Sequence, residues 1–197
     1  MATPIDHIGM HELAPTLRAL AKAGGTTDHA AWMRSGEKNA AKLIQFIEEQ
    51  RFIIDCDEAP YIPKGWEIRP ENQLPGAVGG LLKFEQSKIL LHLDEDQKGG
   101  DGIVGYQLAK RLSGQKLLKT NVLDHLLADT RLIPDEWKTD KQGRVQRIPF
   151  WGTLLSDPYG HLFVHCLCWD ENERWYWGYY RLDHKFDCQL PAAILAS

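Results

Sequence analysis

The C-terminal third of the chain contains three runs of β-prone residues, RIPFWGTLLS, HLFVHCLCW and RWYWGYYRL. Two short segments, DPYG and DENE, join the runs, and both are rich in turn-forming residues. Short, turn-rich links between β-prone runs are typical of antiparallel hairpins. The sequence therefore predicts a three-stranded antiparallel meander, which constrains the fold more than any other part of the chain. After Leu182 the strand character is lost, and we expect a coil or a short turn.

Aromatic side chains occupy both faces of the third predicted strand. Successive side chains of a strand point to opposite faces, so we expect Trp175, Trp177 and Tyr179 on one side, with Tyr176 and Tyr180 on the other. One interpretation is structural: one face packs on helices while cross-strand aromatic pairs stabilise the other. The alternative is an aromatic face that stays in contact with water and marks a binding site.

The contact residues under this second interpretation belong to the third strand and its immediate surroundings. They are Trp175, Trp177, Tyr179, Trp169 and Arg174.

The N-terminal sequence predicts a small helical bundle. The segment GEKNAAKLIQFIEEQ places apolar residues at helical spacing, and APTLRALAKAGG ends in a pair of glycines suited to a helix stop. A proline- and glycine-rich connector, IPKGWEIRPENQLPGAVGG, follows. We therefore divide the chain into a helical region, 1–58, and an α+β region, 59–197, which could also form one continuous domain.

The middle of the chain predicts one strand and several helices. SKILLHLDED has apolar residues on both faces and predicts a buried strand, while IVGYQLAKRLSG and NVLDHLLADT have helical spacing. IPDEWK predicts a single helical turn beginning at Pro134. The expected fold class is α+β: an N-terminal helical bundle, a central strand with helices, and a C-terminal antiparallel three-stranded aromatic meander.

Composition limits the classes of partner. The 197 residues carry a net charge of −4, which gives no general attraction to nucleic acid or anionic lipid. No stretch approaches a membrane span, and the N-terminus does not resemble a signal peptide. The four cysteines are too few and too unevenly placed for a secreted disulfide framework. We expect a cytoplasmic protein with reduced thiols and no membrane partner.

Four residues near the C-terminus, Cys166, Cys168, His184 and Cys188, could supply soft ligands to zinc. The C-x-C spacing argues against this, because a flat strand holds two such sulfurs too far apart for one tetrahedral ion. We predict no metal and no cofactor, and interpret the cysteines as small buried apolar groups. Whether the four side chains converge is left open by the sequence.

Known catalytic motifs are missing. The chain contains no phosphate-binding loop, no nucleophile elbow and no H-E-x-x-H pair. His161 and His165 share a strand face, but such a pair is more often a packing feature than an acid and a base. We predict no catalytic residue. An enzyme remains an alternative, because active sites depend on proximity in three dimensions.

The second half of the chain resembles a known type of protein. The resemblance is carried by KTNVLDHLLADTRLIPDEWK, IPFWGTLLSDPYGHLFVHCLCW, RWYWGYYRLDHKF and LPAAILAS. This series is similar to a family of small bacterial proteins, frequent in genomes of the candidate phyla radiation, with the tail LIPxxWK, FWGTxY, LxVxxLxW, RWxWxYxxL. The resemblance implies neither an activity nor a site residue. The family often has an aromatic residue or arginine in place of Cys166 or His165, which further disfavours zinc.

These observations favour a non-enzymatic cytoplasmic binding or adaptor module that contacts an unidentified protein partner through its aromatic sheet face. The first alternative is a nucleic-acid-binding regulator, in which aromatic rings stack on bases while Arg174 and Arg181 contact phosphates. Self-association is also possible, because an exposed edge strand can pair with another chain.

Overall fold

A computed structural model describes residues 52–196, and the described residues from Ile54 onward belong to one compact unit. The predicted N-terminal helical bundle and the predicted boundary at residues 58 and 59 therefore remain predictions, since almost all of 1–58 lies outside this range. The few described residues of that region form a short strand, Ile53–Asp55, and turns.

The described chain mixes strands with short helices. The strands are β1 Ile53–Asp55, β2 Leu81–Lys83, β3 Ile89–His92, β4 Ile103–Val104, β5 Lys116–Leu117, β6 Arg147–Ser156, β7 Leu162–Trp169, β8 Trp175–Arg181, β9 Lys185–Phe186 and β10 Ala192–Leu195. The α-helices are α1 Glu95–Lys98, α2 Gly105–Arg111 and α3 Thr120–Ala128. Single 3-10 turns lie at Pro70–Asn72, Gln86–Lys88, Thr130–Leu132 and Asp135–Trp137. Within residues 52–196, no helix is both long enough and apolar enough to span a membrane.

The aromatic meander is confirmed. Strands β6, β7 and β8 form an antiparallel three-stranded sheet in that order. Each strand falls within its predicted run to within one residue at either end, because the turn residues between the runs leave no room for a longer strand. The described part of the chain is therefore α+β.

The prediction of a coil after Leu182 is wrong. Strand β9 pairs with β4, and β10 lies between β3 and β5 as the central strand of a second sheet. In that sheet Ala192 lies opposite His92, and Ile194 lies opposite Leu117. The central strand β3 is present as predicted, but Leu90 is 48% exposed, so only part of this strand is buried.

The meander separates two hydrophobic cores. Leu167 of β7 packs in the same core as Leu123 and Leu126 of α3, so this side of the sheet is called the α3 face. Val164 of β7 packs in the other core with Leu108 of α2, and this side is called the α2 face. Both sides of the sheet therefore bury apolar surface, as the aromatic and aliphatic residues on both faces require.

The pairing of β6 with β7 is interrupted by a bulge. Pro149 lies opposite Cys166 and Leu154 lies opposite Val164, so four residues of β6, 150–153, face the single residue His165. The bulge brings Gly152 against the backbone that precedes α3, where its N–H donates to the carbonyl of Leu118 at 2.9 Å. A Cβ at position 152 would lie 2.8 Å from the carbonyl oxygen of Leu117, so the site requires glycine.

The bulge also caps α3. Lys119, which precedes the helix, makes no side-chain cap hydrogen bond. Instead, the hydroxyl of Thr153 accepts a hydrogen bond of 3.2 Å from the buried N–H of Thr120, the first residue of the helix. This bond satisfies one of the donors that every helix leaves free at its N-terminus, so the irregular segment of β6 and the start of α3 support each other.

Three turns in the C-terminal half repeat one arrangement. In each, an aspartate accepts hydrogen bonds from the backbone N–H groups two and four residues later, at 2.8 to 2.9 Å. The side chain four residues later also pairs with the same carboxylate. The pairs are Asp140 with Arg144, Asp157 with His161, and Asp170 with Arg174.

The residue before the last position of each turn has a positive φ. The values are 78° at Gly143, 83° at Gly160 and 57° at Glu173. Glycine adopts this left-handed region without strain, whereas a side chain with a Cβ does not. Glu173 is the described chain's single non-glycine residue with positive φ, so the turn between β7 and β8 carries strain that the other two turns avoid.

Candidate binding surface on strand β8

Five aromatic side chains form a continuous cluster on the α3 face. Trp177 and Tyr179 belong to β8, and Phe163 belongs to β7. Trp66 comes from the connector before β2, and Tyr61 directly precedes that connector. The rings of Tyr61 and Trp177 lie 5.2 Å apart, those of Trp66 and Tyr179 lie 4.9 Å apart, and those of Trp66 and Phe163 lie 4.5 Å apart. Aromatic pairs at such distances stabilise one another. These five residues are called the aromatic cluster below.

Hydrogen bonds hold the connector across the sheet. Glu67 forms a short antiparallel bridge with Ser156 of β6, which places Trp66 over Phe163. Earlier in the chain, the N–H of Tyr61 donates to a carboxylate oxygen of Asp124 in α3 at 2.9 Å. Burial raises the pKa of Asp124, and the hydrogen bond from Tyr61 offsets part of that rise. The connector is therefore fixed at both ends of its path over the α3 face.

The outer part of the aromatic cluster remains in contact with solvent. Tyr61 and Tyr179 are each 50% exposed, and Trp177 is 37% exposed. Phe163 and Trp66, in contrast, are buried or half-buried. The inner rings of this face therefore pack, as the structural interpretation expects, while the outer rings are accessible to solvent.

The predicted contact residues separate into three environments. Trp177 and Tyr179 lie together at the exposed margin of the aromatic cluster. Trp175 is half-buried against the α3 core and packs edge-on against Trp169, whose ring also lies 4.2 Å from the ammonium group of Lys138. Arg174 is ion-paired to Asp170 in the adjoining turn.

The outer edge of β8 presents free backbone groups. The N–H of Leu182 donates to the carbonyl of Leu162, which fixes the alternation of the antiparallel ladder between β7 and β8. The N–H and C=O groups of Trp175, Trp177 and Tyr179 therefore point away from β7. Among residues 52–196 none of these six groups has a backbone hydrogen-bond partner, and β8 is an edge strand of its sheet.

A shallow groove of about 300 Å³ lies beside β8 on the α2 face. Arg147, Cys168, Tyr176 and Tyr180 line it together with residues of the segment that precedes β10. Arg147 is exposed, and within the described part of the chain its guanidinium makes no ion pair or side-chain hydrogen bond. The groove thus offers one cation beside two tyrosine rings.

Cys166, Cys168, His184 and Cys188 were the candidate zinc ligands. Within residues 52–196, no three His, Cys, Asp or Glu side chains are grouped so that they could hold a metal ion. Cys166 and Cys168 are buried, and burial raises the pKa of both thiols. His184 instead packs its ring edge-on against Tyr180. The thiols are therefore protonated and poorly suited to bind metal or to act as nucleophiles.

The two histidines of interest have separate environments. His161 pairs with Asp157 at 2.9 Å within a turn. His165 is fully buried, and neither ring nitrogen has a hydrogen-bond partner among the described residues. Burial lowers the pKa of His165 to about 4, so its imidazole is neutral near pH 7. Within residues 52–196 no carboxylate hydrogen-bonds to His165 to complete an acid and base pair.

Carboxylates neutralise both arginines assigned to phosphate contacts in the nucleic-acid hypothesis. Arg174 pairs with Asp170 at 3.0 Å, and Nε and Nη2 of Arg181 both donate to the carboxylate of Asp183. Pairing of Arg181 with this carboxylate raises the arginine's pKa and lowers that of Asp183. The positive charge expected to contact phosphates is therefore already compensated at both arginines.

Sequence reasoning missed Tyr61 and Trp66 as members of the aromatic cluster. Trp66 lies in the proline- and glycine-rich connector and Tyr61 directly precedes it, and the composition of such a segment carries no information about which sheet it crosses. Two aromatic residues in and beside the connector were the available signal, because large apolar rings in a linker usually pack against another element.

Comparisons with models of known families, with curated proteins and with solved structures found no match to the chain. The resemblance to the bacterial tail pattern therefore remains a prediction.

Proposed function

We propose that this chain is a non-enzymatic binding module that contacts a protein partner through the exposed margin of the aromatic cluster. One observation carries the proposal: Tyr61, Trp177 and Tyr179 are 37 to 50% exposed while their rings remain within 5.2 to 6.1 Å of a neighbour in the group. Contiguous exposed aromatic rings are typical of interfaces, where tryptophan and tyrosine supply much of the binding energy.

The fixed geometry of this surface supports the proposal. Trp177 and Tyr179 lie on a strand, and the N–H of Tyr61 is held by Asp124. Side chains that already occupy one arrangement lose little conformational entropy when a partner binds. Such a surface can therefore bind through its rings without a large ordering cost.

We place the module in the cytoplasm and expect no membrane partner. All four cysteines, Cys56, Cys166, Cys168 and Cys188, are unpaired, in keeping with a reducing compartment. The missing catalytic motifs and the separate environments of His161 and His165 support a non-enzymatic role.

The test is capture of a partner by the tagged full chain from lysate of its native cells, followed by mass spectrometry. Trp177→Ala and Tyr179→Ala should each weaken capture of an enriched protein by about tenfold or more, the effect expected of interface hot spots. Tyr159→Ala is the matched control, because Tyr159 is 86% exposed but lies in the turn between β6 and β7. Circular dichroism must show that each variant is folded. Equal capture by all three folded variants would exclude the aromatic cluster as the contact surface.

A nucleic-acid-binding regulator is the second candidate, because exposed aromatic rings can stack on bases. The pairing of Arg174 and Arg181 with carboxylates makes it the weaker one. Binding of mixed single-stranded oligonucleotides that weakens steeply with salt would favour this candidate. An absence of binding at low salt would remove it.

A further inference from the structure

The outer edge of β8 lacks the features that usually prevent strands from pairing with other chains. Natural edge strands are protected by lysine, proline, bulges or covering segments. The seven residues of β8 include no lysine and no proline, and the pairing of β7 with β8 is continuous from Phe163 to Trp169 without a bulge. Strand β6 differs, since it contains Pro149, a bulge and the bridge to Glu67.

The sequence of β8 is complementary to itself in one antiparallel arrangement. When two copies are aligned about a two-fold axis at Gly178, Trp177 of each copy lies opposite Tyr179 of the other, and Trp175 lies opposite Arg181. Trp177 and Tyr179 direct their backbone groups to the outer edge, so they form a fully hydrogen-bonded pair. In the pair of Trp175 with Arg181, the Arg181 carbonyl already accepts a hydrogen bond from the N–H of His184 at 3.2 Å. Aromatic pairs and arginine beside tryptophan are favourable across strands. If the axis lay at Trp177 or at Tyr179 instead, a residue at one end of β8 would no longer lie opposite another of these four residues.

Charge favours the same orientation. The turn before β8 carries Glu171 and Glu173, neither of which makes an ion pair within residues 52–196. Beyond the other end of β8 lies Lys185, which has no carboxylate partner in the same range. An antiparallel arrangement places the acidic end of one copy beside the basic end of the other, whereas a parallel arrangement brings like charges together.

From these features we propose that the protein forms a symmetric dimer, in which β8 pairs antiparallel with β8 of a second copy, centred on Gly178. The two meanders then form one six-stranded sheet. This proposal is independent of the proposed function, because it uses the backbone edge of β8, while the partner surface uses the side chains of the aromatic cluster. The two-fold axis would place the two aromatic clusters side by side on the shared sheet.

The first test uses the full chain in sedimentation equilibrium together with hydrogen exchange measured by NMR. We expect a concentration-dependent dimer, and slow exchange at the amides of Trp177 and Tyr179 that appears with dimer formation. A chain that stays monomeric would overturn the proposal. A dimer in which both amides exchange rapidly would assign association to another surface. A monomer in which both amides are protected would show that residues outside 52–196 cover the edge of β8. Either result would overturn the proposed dimer.

Charge variants test the register. In Trp177→Glu with Tyr179→Glu, like charges face each other twice across the axis, and we expect association to weaken by about tenfold. In Trp177→Lys with Tyr179→Glu, each lysine faces a glutamate only in the register centred on Gly178, and association should recover by most of that factor. Equal weakening in both variants would overturn this register. The matched control is Tyr106→Glu with Tyr159→Glu, since both tyrosines are exposed and lie outside β8. If the β8 variants do not fold, the exchange measurement on the unaltered chain decides.

Failure of the dimer would leave the proposed function intact. A monomer could still capture a partner through Trp177 and Tyr179, and the alanine variants measure that capture separately. Conversely, a dimer that captures no partner would support the edge pairing and remove the binding-module proposal.

Discussion

Replacing Glu173 with glycine should stabilise the protein. Glu173 has a φ of 57°, and the two other turns with the same arrangement have glycine at this position. The side chain of Glu173 is exposed and makes no hydrogen bond or ion pair within residues 52–196, so its removal takes away no contact. The effect of Glu173→Gly therefore reports the backbone conformation of the turn.

The magnitude follows from two opposing terms. The left-handed conformation costs a residue with a Cβ about 1–2 kcal/mol. Glycine loses roughly 0.5–1 kcal/mol more backbone entropy on folding than alanine does. The difference predicts a gain of about 0.5–1 kcal/mol in the free energy of unfolding, which corresponds to roughly 2 °C or slightly more in Tm for a unit of this size.

Urea unfolding followed by tryptophan fluorescence, with thermal unfolding followed by circular dichroism, measures the change. Glu173→Gln is the charge control, because it removes the negative charge and keeps the strained φ. Gly143→Ala and Gly160→Ala should have the opposite sign and cost about 1 kcal/mol each. At both glycines an added Cβ would meet no atom within 4 Å, so only the backbone term acts. A Glu173→Gly variant that is no more stable than Glu173→Gln would show that the positive φ at this position carries no strain.

Three further predictions concern the buried region around the bulge of β6. Burial lowers the pKa of His165 to about 4, below the roughly 6.5 of an unfolded histidine, so stability should be lost as pH falls from 6.5 towards 4. His165→Leu should remove about 3 kcal/mol of that loss. If the free energy of unfolding of His165→Leu has the same slope against pH in this window as that of the unaltered chain, His165 is not the group responsible. Gly152→Ala should lower the free energy of unfolding in urea by about 3 kcal/mol, because the added Cβ would lie 2.8 Å from the backbone of Leu118. A decrease below about 1 kcal/mol would mean that the backbone moves to make room for it. Thr153→Val should lower the free energy of unfolding by about 1–2 kcal/mol, because it removes the acceptor for the N–H of Thr120. Thr120→Val should change it by almost nothing, because the hydroxyl of Thr120 has no partner among the described residues. Equal effects of the two variants would disprove this cap.

Local patterns in the sequence predicted the meander well. The three runs of β-prone residues became β6, β7 and β8, and the alternation along β8 placed Trp177 and Tyr179 on one face. These features depend on contacts between neighbouring segments, and turn residues mark their limits directly. The α-helix beginning at Gly105 and the helical turn after Pro134 were predicted on the same local grounds.

Features that depend on distant contacts were not predicted. Strand β10 is only four residues long, and AAIL has no alternation that distinguishes a strand from a coil. Its partner β3 lies about a hundred residues earlier, where no local signal reveals the pairing. The exposure of Trp177 likewise depends on where Tyr61 crosses the sheet. No residue type signalled the positive φ at position 173, because this turn lacks the glycine that the other two turns have there.

The central position of β10 has a consequence for synthesis on the ribosome. Strands β3 and β5 both hydrogen-bond to β10, which occupies residues 192–195. While a nascent chain is shorter than this, β3 and β5 have no strand between them, and the second sheet cannot close. The chain must therefore complete its folding late, after the meander has already been translated. Termination after Arg181 but before Ala192 should yield a product that retains β6, β7 and β8 but exposes the partners of the missing strand. Such a state is suited to recognition by chaperones and proteases.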